Sequence, residues 1–337
     1  MKKNNSLFSI KNLALLLIGI ILIALPSFVK QNYFISVMVT CMLYAAMGQA
    51  WNIIGGYGGQ ISWCHSAFIA LGAYTAITFN HYLDISPILT IPIGIVLSVL
   101  FATLIGWATL RYSGTFFAIA TIAFAEILRV VLLNLDITKG SVGISMPFKG
   151  VRPFHLSFAN DVPFYYIAFG LMLLSIVVVY LFTRSKSGYF LRAIKGNEVA
   201  ARTLGANTGK TKVFAFQISA ALSSVVGAVY GCFMVLVEPN GVAGMDLAIR
   251  IGAVAIIGGM GTLFGPILGA FLVIPSIELA SSLLGSSGGT QLLYGLFLIV
   301  VILWRPSGVI TLLDKEYWKN LKWVKRLSAE KATEETP

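Results

Sequence analysis

Gln60 and His65 stand five residues apart in an apolar stretch, directly behind glycines 55, 56, 58 and 59. Polar groups entering such a segment are costly unless they face protein or water. Two readings fit them: they line a path through the bundle, or they bond to neighbouring helices and hold a bend. The glycines permit backbone conformations and close helix approaches that a Cβ forbids. Glu126 and Arg129 lie three apart, the spacing at which two charges on one helix pair with each other. Arg250 and Glu278 are lone charges in apolar runs and should each face the protein interior. No HExxH stretch, Cys/His cluster or G-x-S-x-G elbow occurs, so the sequence offers neither a catalytic set nor a metal site. Gly209-Lys210-Thr211 resembles the end of a phosphate loop. That pattern needs a glycine at 204, where this chain has Leu204, so it does not indicate nucleotide binding.

These residues must be positioned by membrane helices. The chain is 57% hydrophobic and 11% charged, against roughly 25% charged residues in soluble domains. Its apolar runs of about 20 residues are too many for one soluble core. They fall near 13–29, 33–54, 61–79, 88–110, 115–134, 163–182, 211–237, 246–260, 263–284 and 290–304. The expectation is an all-α, polytopic protein with about ten transmembrane helices. Residues 1–304 would form the transmembrane domain and 305–337 a basic cytoplasmic tail. The first run lacks a good cleavage site, so it reads as an uncleaved span. Cys41, Cys64 and Cys232 read as small buried hydrophobes.

Charge orients the spans. The net charge of +11 is carried by loops, so it reports topology and contact with lipid headgroups rather than nucleic acid. With the amino terminus inside, Lys2, Lys3, Lys11, Arg111, the positives of 184–212 and those from Arg305 to Lys331 all fall inside. Lys30, Lys139, Lys149 and Arg152 fall outside. Eighteen positives against four obey the positive-inside rule, with both termini cytoplasmic. Run 246–260 is the weakest, being short and carrying Arg250. The loop 135–162 would be extracytoplasmic. Leu313, Tyr317, Leu321 and Val324 recur at helical spacing, which suggests a helix on the inner membrane surface. An internal repeat is also possible. Ile53-Ile54-Gly55-Gly56-Tyr57-Gly58 matches Ile256-Ile257-Gly258-Gly259-Met260-Gly261, and Leu71-Gly72-Ala73-Tyr74 echoes Leu268-Gly269-Ala270-Phe271. Transporters are often built from such halves, although glycine-rich matches also arise by chance.

The longest polar stretch between apolar ones is 184–212, with seven positives against Glu198. Residues 191–205 read as one or two short helices, broken at Gly196-Asn197 and ended by Gly205, with Asn197 capping and Glu198 favourable near the N-terminus. Ala200 and Ala201 leave one face bare for another protein's surface.

At Glu198-Val-Ala-Ala-Arg-Thr-Leu-Gly205 the chain resembles the coupling loop of ABC importer permeases. From about 45 to 308 it looks like the LivM-type permease of branched-chain amino-acid ABC transporters. The matching stretches are Gly56-Tyr57-Gly58-Gly59-Gln60-Ile61-Ser62 with His65, then Gly72-Ala73-Tyr74, Phe116-Phe117-Ala118-Ile119 and Ala125-Glu126-Ile127-Leu128-Arg129. Leu191-Arg192-Ala193, Asn197-Glu198, Ala200-Ala201, Gly258-Gly259-Met260-Gly261-Thr262, Pro306 and Gly308 complete the set. Trp63-Cys64 replace the small residue and glycine that usually precede the histidine.

The resemblance implies an inner-membrane permease that imports hydrophobic amino acids. It implies four partners: a second, LivH-type permease, two ATP-binding subunits and an extracytoplasmic amino-acid-binding protein. ATP and Mg would sit on the ATPase subunits, with no cofactor in this chain. Arg192, Glu198, Ala200, Ala201 and Gly205 would couple to the ATPases. Gly55, Gly56, Gly58, Gly59, Gln60, His65, Gly258, Gly259 and Gly261 would form the path or its bend. Two alternatives stand beside this. One is the same machine carrying urea or a short amide. The other is an ion-coupled secondary transporter using Glu126 and Glu278.

Overall fold

The computed structural model describes residues 22–28, 31–110, 114–147, 150–285, 288–304 and 307–313. Residues 22–28 are helical; the rest of the first apolar run and the tail beyond 313, with its expected surface helix, lie outside the described residues. The long helices are α1 (Asn32–Asn52), α2 (His65–Leu83), α3 (Pro87–Thr109), α4 (Thr115–Asn134) and α5 (Val162–Arg184). Two short helices follow, α6 (Lys186–Gly196) and α7 (Glu198–Thr203). The chain then enters α8 (Thr208–Met234), the short α9 (Pro239–Val242), α10 (Met245–Gly259), α11 (Gly265–Leu284) and α12 (Gly288–Trp304).

Seven segments are long and apolar enough to cross a membrane: 32–57, 87–109, 115–134, 162–184, 208–234, 239–259 and 265–283. With lipid on both sides, only structures that satisfy their own backbone groups can span, and helices do so. The ten expected runs therefore reduce to seven among the described residues. The first is mostly outside them. Helix α12, at 17 residues, falls short of a full span, and α2 is diluted by polar side chains. The run placed at 61–79 also begins late: α2 starts at His65, because residues 58–64 leave helical geometry. The weakest run does form a helix, lengthened by the turn of α9 ahead of it.

Two helices organise the bundle. Helix α8 packs against α2 and α3, while α1 packs against α5 and α11, and α10 lies on α11. Backbones approach closely where small residues meet, as membrane packing requires without a hydrophobic drive between helices. A Cβ on Gly72 would sit 2.0 Å from the Ser224 carbonyl oxygen, and one on Gly227 would sit 2.3 Å from that of Ile69.

The 135–162 loop folds back in 3₁₀ turns. It contributes β1 (Ile144–Ser145), antiparallel to β2 (Leu236–Val237), which directly follows α8. Ile144 faces Val237, and both are fully buried. This two-residue ladder and an isolated bridge between Arg152 and Ser157 are the departures from an all-helical reading among the described residues.

Candidate functional site

Helix α1 does not end in a normal turn. It passes into a π-helical turn at Ile53–Tyr57, which carries Gly55 and Gly56. Such turns leave backbone groups without regular partners. Here the partners come from far away in sequence. Lys195 of α6 donates from Nζ to the Gly56 carbonyl at 2.7 Å. Asn52 donates to the Thr262 carbonyl at 2.8 Å and accepts from the Gly261 amide at 2.7 Å. Gln49, one turn earlier, donates to the Leu263 carbonyl. The two glycine motifs thus lie against each other. A Cβ on Gly56 would sit 1.8 Å from the Asn52 amide oxygen and 2.4 Å from the Gly261 nitrogen. Gly259 and Gly261 hold φ of +123° and +80°, and Gly59 holds +66°, which is glycine territory.

Gln60 and His65 sit behind this junction. Both are buried, His65 at 1% exposure. His65 Nε2 lies 2.7 Å from the Ser219 hydroxyl, and that hydroxyl donates to the Ala50 carbonyl at 2.6 Å. A carbonyl can only accept, so Ser219 has no proton left for the ring and Nε2 is the donor. His65 therefore ties α2 to α8 and, through Ser219, to α1. The Phe68 and Phe216 rings close around it edge-on. Trp51 donates to the Ser62 carbonyl at 2.7 Å and steadies the other side of the break. The Trp63 backbone amide donates to Thr121 at 3.1 Å, and its ring lies against Gly252 of α10.

The polar loop folds as two short helices, as Gly196-Asn197 and Gly205 indicate. Ser185 caps α6 through the Gly188 amide, and Asn197 caps α7 through the Ala200 amide. Gly205, at φ +87°, ends α7. Its amide bonds to the Arg202 carbonyl and that of Ala206 to the Ala201 carbonyl, the two bonds of a Schellman stop.

Three side chains of this loop make contacts within the chain. Glu198 accepts from Lys212 at 2.7 Å and lies 3.5 Å from Arg202. Lys212 is 1% exposed, so Glu198 is the counter-ion that lets it be buried. Its carboxylate is shared between these two cations and keeps 28% side-chain exposure. Arg192 donates to the Thr183 carbonyl at 2.6 Å and stacks on Tyr189, closing the C-terminal end of α5. Ala201 turns inward onto Ile194 and Ala206, so the bare face is not Ala200-Ala201. It is Val199 and Leu204, with Ala200 between them; Leu204 is 87% exposed.

Glu126 and Arg129 pair as expected: Nε donates to Oε2 at 2.9 Å, and Arg129 reaches Asn240 at 2.5 Å. Lys195 escaped the sequence reading. It looked like one of many loop positives, and nothing local marks a contact made 139 residues away. The supposed repeat is met by direct contact between its glycine motifs but not by similar packing. Gly72 lies on α8, whereas Gly269 lies on α10.

A family profile described as "Branched-chain amino acid transport system / permease component" matches residues 33–303. The chain is 28% identical over 324 residues to the LivM permease protein of the high-affinity branched-chain amino acid transport system of Escherichia coli strain K12. That match covers 89% of this chain and 75% of the relative. It is 29% identical over 282 residues to a probable branched-chain amino acid permease protein, LivH, of Methanocaldococcus jannaschii, covering 77% and 85%. It is also 27% identical over 175 residues to the ribose import permease protein RbsC of Haemophilus influenzae, covering 47% and 54%. With the profile spanning most of its length, this multi-pass membrane chain belongs to the branched-chain amino-acid transport permease family.

Proposed function

We propose that the chain is the permease subunit of an ATP-driven importer that moves branched-chain amino acids across the inner membrane. It works with a LivH-type permease, two ATP-binding subunits and an extracytoplasmic amino-acid-binding protein. The observation that carries the reading is the junction of Lys195, Gly56, Asn52 and Gly261. It connects a capped, charged loop to a π-turn in one helix and to the break between two others. A force on the loop reaches the bundle through groups bonded at 2.7–2.8 Å. ATP hydrolysis belongs to the partner subunits, which dock on Val199, Ala200 and Leu204. Both termini are cytoplasmic, and the first run adds to the seven spans.

The ribose relative keeps a neutral cargo as the second reading. The test is reconstitution of the chain with its neighbouring permease, ATPase and binding protein in proteoliposomes. ATP-dependent uptake of labelled leucine, isoleucine or valine is the expected result. Uptake of ribose instead, or uptake abolished by a protonophore but indifferent to ATP, overturns it.

A further inference from the structure

A groove of about 770 Å³ runs between α3 and the start of α8, beside α7. No residue of the Gly56–Gly261 junction lines it. It follows α8 from Thr208 to Gln217, about 14 Å at 1.5 Å per residue. The polar layer on each side of a bilayer is only about 5–8 Å deep. One end of the groove therefore lies among lipid headgroups and the other in hydrocarbon.

The side chains grade in the same direction. Arg202, Thr208 and Lys210 stand at the loop end, while Trp107, Val213 and Phe214 line the part alongside the spans. Trp107 and Phe214 are 68% and 47% exposed, and Leu100, Leu104 and Trp107 form one exposed stripe along α3. The groove thus opens sideways toward lipid, with an indole at the level where membrane proteins place tryptophan. At its floor the Gln217 amide donates to the Thr103 hydroxyl at 2.7 Å, so that donor is already engaged by the chain.

The loop end is short of negative charge. Glu198 is the acid that lines it, and Lys212 holds that carboxylate at 2.7 Å. Arg202 reaches the same carboxylate at 3.5 Å and the Thr208 hydroxyl at 3.3 Å. Lys210 pairs with no carboxylate of the described residues. Three cations thus share one acid, and the positive end of the α8 dipole adds to them. Cations above an apolar wall call for an amphiphile with an anionic head. Inorganic phosphate would satisfy the cations and leave the wall unfilled. A zwitterionic lipid would bring a further cation to a place already rich in them.

We infer that this groove holds one anionic phospholipid, its phosphodiester between Arg202 and Lys210 and an acyl chain along Val213 and Phe214 beneath Trp107. The lipid sits on the hinge between α7 and α8, which Arg202 bridges at Thr208. The site requires α3 and α8 to span the membrane and goes beyond the importer reading, since it requires no particular cargo.

The test places the complex in which the chain is isolated into phosphatidylcholine nanodiscs. These carry increasing amounts of phosphatidylglycerol or phosphatidylcholine with brominated acyl chains, which quench tryptophan on contact. The difference between wild type and Trp107→Phe isolates the emission of Trp107. A Lys or Arg near the membrane surface strengthens binding of anionic lipid about fivefold. Half-quenching is therefore expected at a mole fraction of brominated phosphatidylglycerol about fivefold or more below that of brominated phosphatidylcholine. Arg202→Gln with Lys210→Gln should bring the two lipids level. Where that double variant fails to fold, Lys210→Gln alone carries the test and should lower the preference by about twofold or more. Equal quenching by the two lipids in wild type, or a preference unchanged in the folded variants, overturns the site. So does protection by inorganic phosphate, which would make the free ion the ligand, or no quenching by either lipid, which would mean that another subunit covers the groove. None of these readings uses transport, so a complex that shows the preference and imports nothing removes the importer reading and keeps the lipid site.

Discussion

Lys195 reaches from the second half of α6 to the carbonyl of Gly56, 139 residues earlier, at 2.7 Å. This single bond joins the charged loop to the π-turn of α1. Replacing Lys195 with Met should lower ATP-dependent uptake by about tenfold or more while the ATPase subunits still co-purify. Lys195→Arg keeps a donor and should retain most activity. Uptake counts and pull-down yields on the same preparations separate lost transmission from lost assembly. Normal uptake by Lys195→Met would remove the bond from the mechanism.

Gly56 admits no side chain. A Cβ there would sit 1.8 Å from Asn52 and 2.4 Å from the Gly261 nitrogen, so backbone must shift. Gly56→Ala should cost about 1–3 kcal/mol, the range for overpacking, seen as a lower melting temperature in detergent. Gly170→Ala, where nothing lies within 4 Å, serves as the control and should be neutral or slightly stabilising.

Glu198→Ala leaves Lys212 buried without its counter-ion. Breaking a fully buried pair costs about 3–5 kcal/mol. Glu198 keeps 28% side-chain exposure, so about 2 kcal/mol is expected here. Glu198→Ala with Lys212→Met should regain much of the loss. A double-mutant cycle on thermal stability gives the coupling directly, and additive effects would show that the pair does not hold α7 to α8.

The exposed pair Val199 and Leu204 should behave differently. Leu204→Asp leaves the chain's own packing untouched, since the side chain is 87% exposed. It should change stability by no more than about 0.5 kcal/mol, as surface changes do, and abolish recovery of the ATPases. Retained ATPases would place the docking face elsewhere.

His65→Ala removes a ring that ties three helices together. Losing the ring and its bond should cost about 2–4 kcal/mol. Reduced expression with an unchanged preference among leucine, isoleucine and valine is the expected pattern. A stable variant with altered preference would return His65 to the substrate path.

Much of this was written in local sequence. Gly196-Asn197 and Gly205 announced the two loop helices, because capping is decided within four residues. Glu126 and Arg129 announced their pair for the same reason. What was hidden needed the third dimension. Nothing near Lys195 points to Gly56. Nothing in Ile53–Tyr57 distinguishes a π-turn from a flexible break, since the extra residue per turn is set by the neighbours it must reach. Ala201 looked bare because alanine is small, yet a six-residue helix has only one exposed side, and Ile194 claimed the other.

Helix α8 begins at the Asn207 cap beside the charged loop and runs 27 residues without a proline to β2. At 1.5 Å per residue it measures about 40 Å. Lys212 pins its lower end to Glu198, and the β1–β2 ladder clips its upper end to the outer loop. It is therefore a pushrod with both ends fastened. A millimetre-scale machine would need a bearing at each face to send a stroke from one side of a wall to the other. Here one covalent shaft is anchored at both ends, so a displacement of Glu198 has little slack in which to be lost before it reaches the β1–β2 ladder.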